Sequence, residues 1–263
     1  MQTTQTLPSL SRSRKRLKTE FVSDVHHCSS VAQLDCELTM FFHFHTGEIY
    51  GGHEAKPHSR PYMVLLERHM QNGQTSYCGG FLLNKYFVMT AAHCQAKSYT
   101  ALLGVHNACN CAGVQRIPVK AAFPHKDYNE TEYTNDIMLL KLSSKAHFNN
   151  NVSRIALAGR GDGSLPKSCS VSGWGRTNKY NKTVPFKLME VNVTLTDNEL
   201  CCQKKVYCSE GKGDSGGPLV CKDGKAYGVV GTSFQSNPEI YPYAKIPENA
   251  DWINWITGNN EKF

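Results

Sequence analysis

Gly213-Asp214-Ser215-Gly216-Gly217-Pro218, with Thr90-Ala91-Ala92-His93-Cys94 and Asn135-Asp136-Ile137-Met138-Leu139-Leu140 upstream, is the stretch on which the reading of this chain turns. A serine hydroxyl at its free pKa is a poor nucleophile. It needs an imidazole to take its proton and a buried carboxylate to fix that imidazole's tautomer. The three segments supply one residue for each task, in the order His93, Asp136, Ser215. Gly213 lets the backbone turn its N–H, together with that of Ser215, toward a developing oxyanion. Gly216 and Gly217 are expected to leave room for a substrate backbone. A serine in a glycine-rich turn, a histidine before a cysteine and an aspartate before an apolar run are each ordinary alone. Their joint occurrence carries the reading.

Outward from these segments the chain consists of short β-rich runs separated by Gly, Asn and Pro. They cover residues 62–66, 81–83, 86–89, 101–104 and 137–142, then 170–175, 187–193 and 227–230. Such spacing predicts antiparallel barrels and an all-β fold. Near the end, residues 250–256 carry apolar side chains at helical spacing.

At 263 residues with 40% apolar content, the chain suffices for one large β domain or two small ones. No apolar run of membrane-spanning length occurs. The formal net charge is +7, and residues 1–48 hold five basic and five acidic side chains, so the excess lies beyond them. A basic surface suits nucleic acid, anionic membrane or sulfated polysaccharide. No nucleic-acid module is evident. Eleven cysteines point to an oxidising compartment, and sequons at Asn129, Asn151, Asn181 and Asn192 agree with secretion.

Residues 1–39 have little periodicity and a basic run from Arg12 to Lys18, which reads as a solvated arm rather than a targeting signal. The stretch 38–45, Leu-Thr-Met-Phe-Phe-His-Phe-His, is too short and polar for the apolar core of a signal peptide.

From about Gly47 to Ile256 the chain resembles the chymotrypsin-like serine proteases, and within them the granzyme, mast-cell protease and cathepsin G group. The resemblance implies two six-stranded antiparallel Greek-key β-barrels, 49–153 and 154–263, with a C-terminal α-helix and the triad between the barrels. It implies a monomeric, secreted or granule endopeptidase that needs no metal or organic cofactor and acts on protein substrates. His93 would be the general base, Asp136 its orienting acid and Ser215 the nucleophile. Sulfated proteoglycan and protein inhibitors are the further partners it suggests. Gly47-Glu48-Ile49-Tyr50-Gly51-Gly52 resembles the family's activation junction, where a dipeptidyl protease removes a dipeptide ending in an acid, so that cleavage would fall after Glu48. The freed α-amine of Ile49 would then enter an apolar pocket and pair with Asp214, since an unpaired buried ion is costly.

The resemblance also implies bridges Cys78–Cys94 and Cys169–Cys221, and a third from Cys208 to Cys201 or Cys202. The local context favours Cys202 slightly. Cys28, Cys36, Cys109 and Cys111 stay unassigned, and Cys109-Asn110-Cys111 lacks the further ligands of a zinc site.

Two features depart from the family pattern. Only six residues separate Cys208 from Ser215, where relatives use a dozen or more to build the primary specificity pocket. Ser209 would fall at the pocket floor, and Glu239, if directed inward from the opposite wall, would favour Lys or Arg beside the scissile bond, with apolar residues tolerated. In the cleft strand 230–234, Gly231 and Thr232 stand where a serine and an aromatic residue are usual, followed by Ser233. The competing reading is an inactive homologue that binds proteoglycan or microbial surfaces.

Overall fold

The computed structural model describes residues 51–260, except 111, 133, 163–164, 176–185, 211–213 and 235. Ile49 and Gly213 therefore lie outside the described residues, as does the whole 1–48 segment.

The first lobe is built from β2 (Met63–His69), β3 (Thr75–Leu82), β4 (Phe87–Thr90), β5 (Ser98–Leu103), β6 (Gln115–Pro124) and β7 (Met138–Leu142), following a short β1 (His53–Glu54). These six strands close into a barrel in the order β2-β3-β4-β7-β6-β5, with β5 returning to pair with β2. Met63 to Leu66 are all buried although a strand alternates its faces. The alternation divides them between two cores. Val64 and Leu66 enter the barrel interior with Phe81, Val88 and Leu140, whereas Met63 and Leu65 pack with Ala55, Leu102, Trp174 and Leu188 between the lobes. β4 starts where the Asn84 side-chain oxygen accepts from the backbone N–H groups of Tyr86 and Phe87.

The second lobe contains β8 (Ser168–Gly173), β9 (Met189–Thr194), β10 (Val206–Ser209), β11 (Pro218–Cys221), β12 (Ala226–Val230) and β13 (Tyr241–Lys245). Its hydrogen-bonded order is β1-β9-β8-β11-β12-β13-β10. The expected all-β fold of two lobes and a C-terminal helix is present, the second lobe as a half-barrel sheet. The sheet curls until Leu195, just beyond β9, forms a lone bridge with Ser209, and the Thr196 N–H donates to the Cys208 carbonyl at 2.9 Å. β1 pairs with the same edge of β9 only at its start, Met189 and Glu190.

Two α-helices complete the chain: α1 (Glu199–Gln203) and α2 (Ala250–Asn260). The helical spacing read from 250–256 continues to Asn260. Ile253 and Ile256 of α2 join the first barrel's core, and Lys141 donates its Nζ to the Asn260 carbonyl, a cation at the negative end of the helix. None of the described helices is long and apolar enough to cross a membrane.

Disulfides join Cys78 to Cys94, Cys169 to Cys221 and Cys201 to Cys208. The third corrects the slight preference for Cys202. On α1, Cys201 faces inward with Val206, Cys208, Phe234 and Ile240, while Cys202, about 100° further round the helix, is exposed and free. Cys109 is also disulfide-bonded, and its partner lies outside the described residues.

Candidate active site

His93 sits in a single 3-10 turn, Ala92–Cys94, directly after β4. The turn is pinned at both ends. Cys94 is bridged to Cys78 of β3, and the Thr90 hydroxyl donates to the Gly79 carbonyl of the same strand at 2.8 Å. Ala91 and Ala92 are fully buried, so the polypeptide turns sharply and projects the imidazole.

Asp136 reaches that imidazole from the start of β7. Asn135 adopts φ 52°, a left-handed conformation that asparagine tolerates, and its side chain donates to the Asp127 carbonyl at 3.0 Å. This kink directs Asp136 inward, where it is almost fully buried. Its Oδ1 accepts from the His93 backbone N–H at 2.8 Å and its Oδ2 pairs with His93 Nδ1 at 2.6 Å. The double contact fixes both the ring's rotation and its tautomer, because a carboxylate requires an N–H at Nδ1. His93 Nε2 is left as the proton acceptor. It is buried and has no hydrogen-bond partner among the described residues.

Ser215 is 3% exposed. Its carbonyl accepts from the Gly79 N–H at 2.8 Å, so the serine turn rests on the strand carrying the Thr90 and Cys78 anchors. Gly216, at φ 85°, has no space for a side chain: a Cβ would lie 2.3 Å from Thr90 Oγ1 and 2.4 Å from the Gly79 carbonyl oxygen. At Gly217 a Cβ would lie 2.9 Å from the Ser172 carbonyl oxygen. Gly216 therefore serves the close docking of the serine turn onto the first lobe and Gly217 its packing against β8 of the second, tasks different from the expected room for substrate. Gly79, Thr90 and Gly173 were not singled out from the sequence. Only the Cys78-Gly79-Gly80 run hinted at a close backbone approach.

Asp214 points the other way. It is 2% exposed and its Oδ2 accepts from the Trp174 N–H at 2.8 Å. Burial pushes its carboxyl up from 3.8 to about 6, against the opposing effect of backbone N–H groups of Trp174, Gly175 and Ser215. Gly173 admits it, since a Cβ there would fall 2.1 Å from that of Asp214. Among the described residues no cation faces this carboxyl.

The expected specificity residues separate into two groups. Ser209 is fully buried at the end of β10, with Oγ 2.6 Å from the Tyr243 hydroxyl. Gly231 lies beside Asp136, a Cβ there being 3.3 Å from Oδ2, and Ser233 follows it half-buried. Glu239, by contrast, is exposed in the turn before β13. The buried residues of that segment are Ile240, which packs with Cys201 and Phe234, and Tyr241, which pairs in register with Ser209. Cys78, His93 and Cys94 also cluster within 4.8 Å, but the two sulfurs are bonded to each other and offer no thiolate to a metal.

Comparison with known proteins assigns this architecture to one class. The family model described as Trypsin matches residues 49–253. Granzyme E of Mus musculus is 38% identical over 224 residues, covering 79% of this chain and 90% of that protein. Mast cell protease 3 of Ovis aries is 41% identical over 224 residues, covering 79% and 88%. A solved structure described as "Structure of GrC" superposes with a TM-score of 0.74 at 35% identity, covering 80% of this chain and all of that one. The chain belongs to the trypsin family of chymotrypsin-like serine proteases. Within it, the similarity is to the granzyme and mast cell protease group.

Proposed function

We propose that this chain is a serine endopeptidase that hydrolyses protein peptide bonds through an acyl-enzyme. Ser215 Oγ attacks the carbonyl carbon while His93 Nε2 takes its proton, and Asp136 stabilises the imidazolium that forms. The N–H groups of Gly213 and Ser215 hold the oxyanion. His93 then returns the proton to the leaving amine, and water repeats the sequence to release the acid. The observation that carries this reading is the two-point grip of Asp136 on His93, which leaves Nε2 as a buried acceptor beside the docked serine turn. An activated ester substrate should give a pre-steady-state burst equal to the enzyme concentration. Ser215→Ala should abolish it; a burst that survives in that variant contradicts the assignment.

Activation by cleavage after Glu48 accounts for the state of Asp214. A carboxyl raised to about 6 by burial is a site waiting for a cation. The α-ammonium of Ile49 would return it to the ionised form and hold the adjoining Gly213 and Ser215 amides in place. The segment ending at Glu48 then acts as a propeptide whose last two residues, Gly47-Glu48, are removed by a dipeptidyl protease, and the protein is a zymogen. Its bridges suit secretion or a secretory granule. Protein inhibitors and sulfated proteoglycan are the partners this location and the positive charge favour.

Side-chain preference is the finer part of the proposal. An exposed Glu239 supplies no buried acid for Lys or Arg, so selection rests on other residues. The inactive-homologue reading draws on the absence of a serine at 231 and on the short 209–214 segment. The same burst measurement separates it from the enzyme.

A further inference from the structure

The inner face of the second lobe presents three hydroxyl side chains at the mouth nearest Ser215. Ser209 and Tyr241 are directly opposed across β10 and β13, and opposed residues share a face. Tyr243 lies two residues along on that face, bonded to Ser209, with its ring in the interior beside Val171, Leu219 and Val230. Tyr241 is one step nearer the opening.

Its height relative to the reaction centre follows from the neighbouring strands. Tyr243 pairs with Val230, and the Gly231 N–H donates to the Pro242 carbonyl at 2.9 Å, so Tyr241 stands level with the residues just after Gly231. Gly231 adjoins Asp136, and the Val230 carbonyl accepts from the Gly216 N–H at 2.9 Å. At this level β13 runs beside the end of β12 that carries the serine turn, and Tyr241 is 6% exposed.

Five Cα–Cα steps connect Ser209 to Asp214, so the chain between them spans at most about 19 Å. Among the described residues the buried charged groups are Asp136, Lys141 and Asp214. The first holds His93, the second caps α2 and the third is held by Trp174.

We infer that Tyr241 fills the space that would receive the substrate side chain on the acyl side of the scissile bond, so that the enzyme selects Gly, Ala or Ser there. A bulky aromatic or aliphatic side chain would have to displace a buried ring, and a lysine or arginine would meet no uncommitted buried carboxylate among the described residues. This rests on the hydrolase reading and adds its substrate class.

The test uses the full chain after release of Ile49, a fluorophosphonate label for competence, and peptide amides differing only at the acyl-side residue. Wild type should label and cleave the Ala and Ser peptides at least tenfold faster than those with Phe, Leu, Lys or Arg. Tyr241→Ala should shift the Phe-to-Ala ratio upward by tenfold or more, and Tyr241→Phe, which keeps the ring, should retain the wild-type order. A labelled wild type with no preference for small residues overturns the inference alone, as does a labelled Tyr241→Ala with an unchanged ratio. If Tyr241→Ala does not fold, the wild-type and Tyr241→Phe profiles decide. No labelling of wild type overturns the hydrolase reading and this inference together.

Discussion

Installing a hydroxyl at position 231 should make this enzyme faster. Gly231 faces the Asp136 carboxylate, and a Cβ there would lie 3.3 Å from Oδ2, 3.3 Å from the Pro242 carbonyl oxygen and 3.5 Å from Pro242 Cγ. Rotation about χ1 brings a serine Oγ on that carbon within hydrogen-bonding reach of Oδ2. Each oxygen of Asp136 has one contact from His93, so lone pairs remain to accept another. A hydrogen bond to a charged group contributes about 1.5–3 kcal/mol. The tight Cβ contacts should cost about 1 kcal/mol of that. The net, about 1 kcal/mol, corresponds to roughly fivefold in kcat/KM. Gly231→Ala carries the crowding without the bond and should be slower than wild type by a similar factor. The decisive quantity is therefore the Ser-to-Ala ratio, about tenfold or more, measured as kcat/KM normalised by active-site titration. In an Asp136→Asn background the ratio should collapse. Equal rates for the Ser and Ala variants would refute the claim that Asp136 is under-supported in this chain.

Three further outcomes follow from the same geometry. In the uncleaved chain, a buried Asp214 whose carboxyl is raised from 3.8 to about 6 stabilises the fold below pH 4 and loses that contribution as pH rises through 6. The loss is about 3 kcal/mol, so urea midpoints of the uncleaved chain should fall between pH 4 and 7 relative to Asp214→Asn, and release of Ile49 should remove the fall; pH-independent midpoints would contradict it. Gly216→Ala should destabilise the protein by several kcal/mol and abolish turnover, because its Cβ would overlap Thr90 Oγ1 and the Gly79 carbonyl; a variant with wild-type melting and rate would show that the serine turn is not docked there. Cys201→Ser should cost about 2–3 kcal/mol by freeing a short loop, whereas Cys202→Ser should stay within about 0.5 kcal/mol, as read by thermal melting with mass-mapped bridges; the reverse order would restore the Cys202 pairing.

The strands were legible wherever apolar runs of four or five residues met Gly, Asn or Pro, and the three site segments carried their own chemistry in residue type and order. What the chain did not disclose depended on phase and on contacts distant in sequence. Cys201 and Cys202 differ only in which side of a five-residue helix they occupy. Glu239 and Tyr241 would share a face of one continuous strand, but β13 begins only at Tyr241, which leaves Glu239 in the exposed turn before it. Gly79, Gly173 and Gly216 look like any turn glycine until the serine turn settles between the lobes. The seam of the second lobe rests on a single bridge, Leu195 to four-residue β10 at Ser209, a long-range contact that no local pattern marks.

The central claim is that Ser215, activated by His93 and Asp136, becomes competent once Ile49 is freed. Treating the chain with a fluorophosphonate before and after cleavage at Glu48, and mapping the adduct by peptide mass, tests it directly. One phosphonyl group on Ser215 in the cleaved protein, with little in the intact chain and none in Ser215→Ala or His93→Ala, is the predicted result. A cleaved, folded protein that takes no label, or takes it at another residue, would contradict the account.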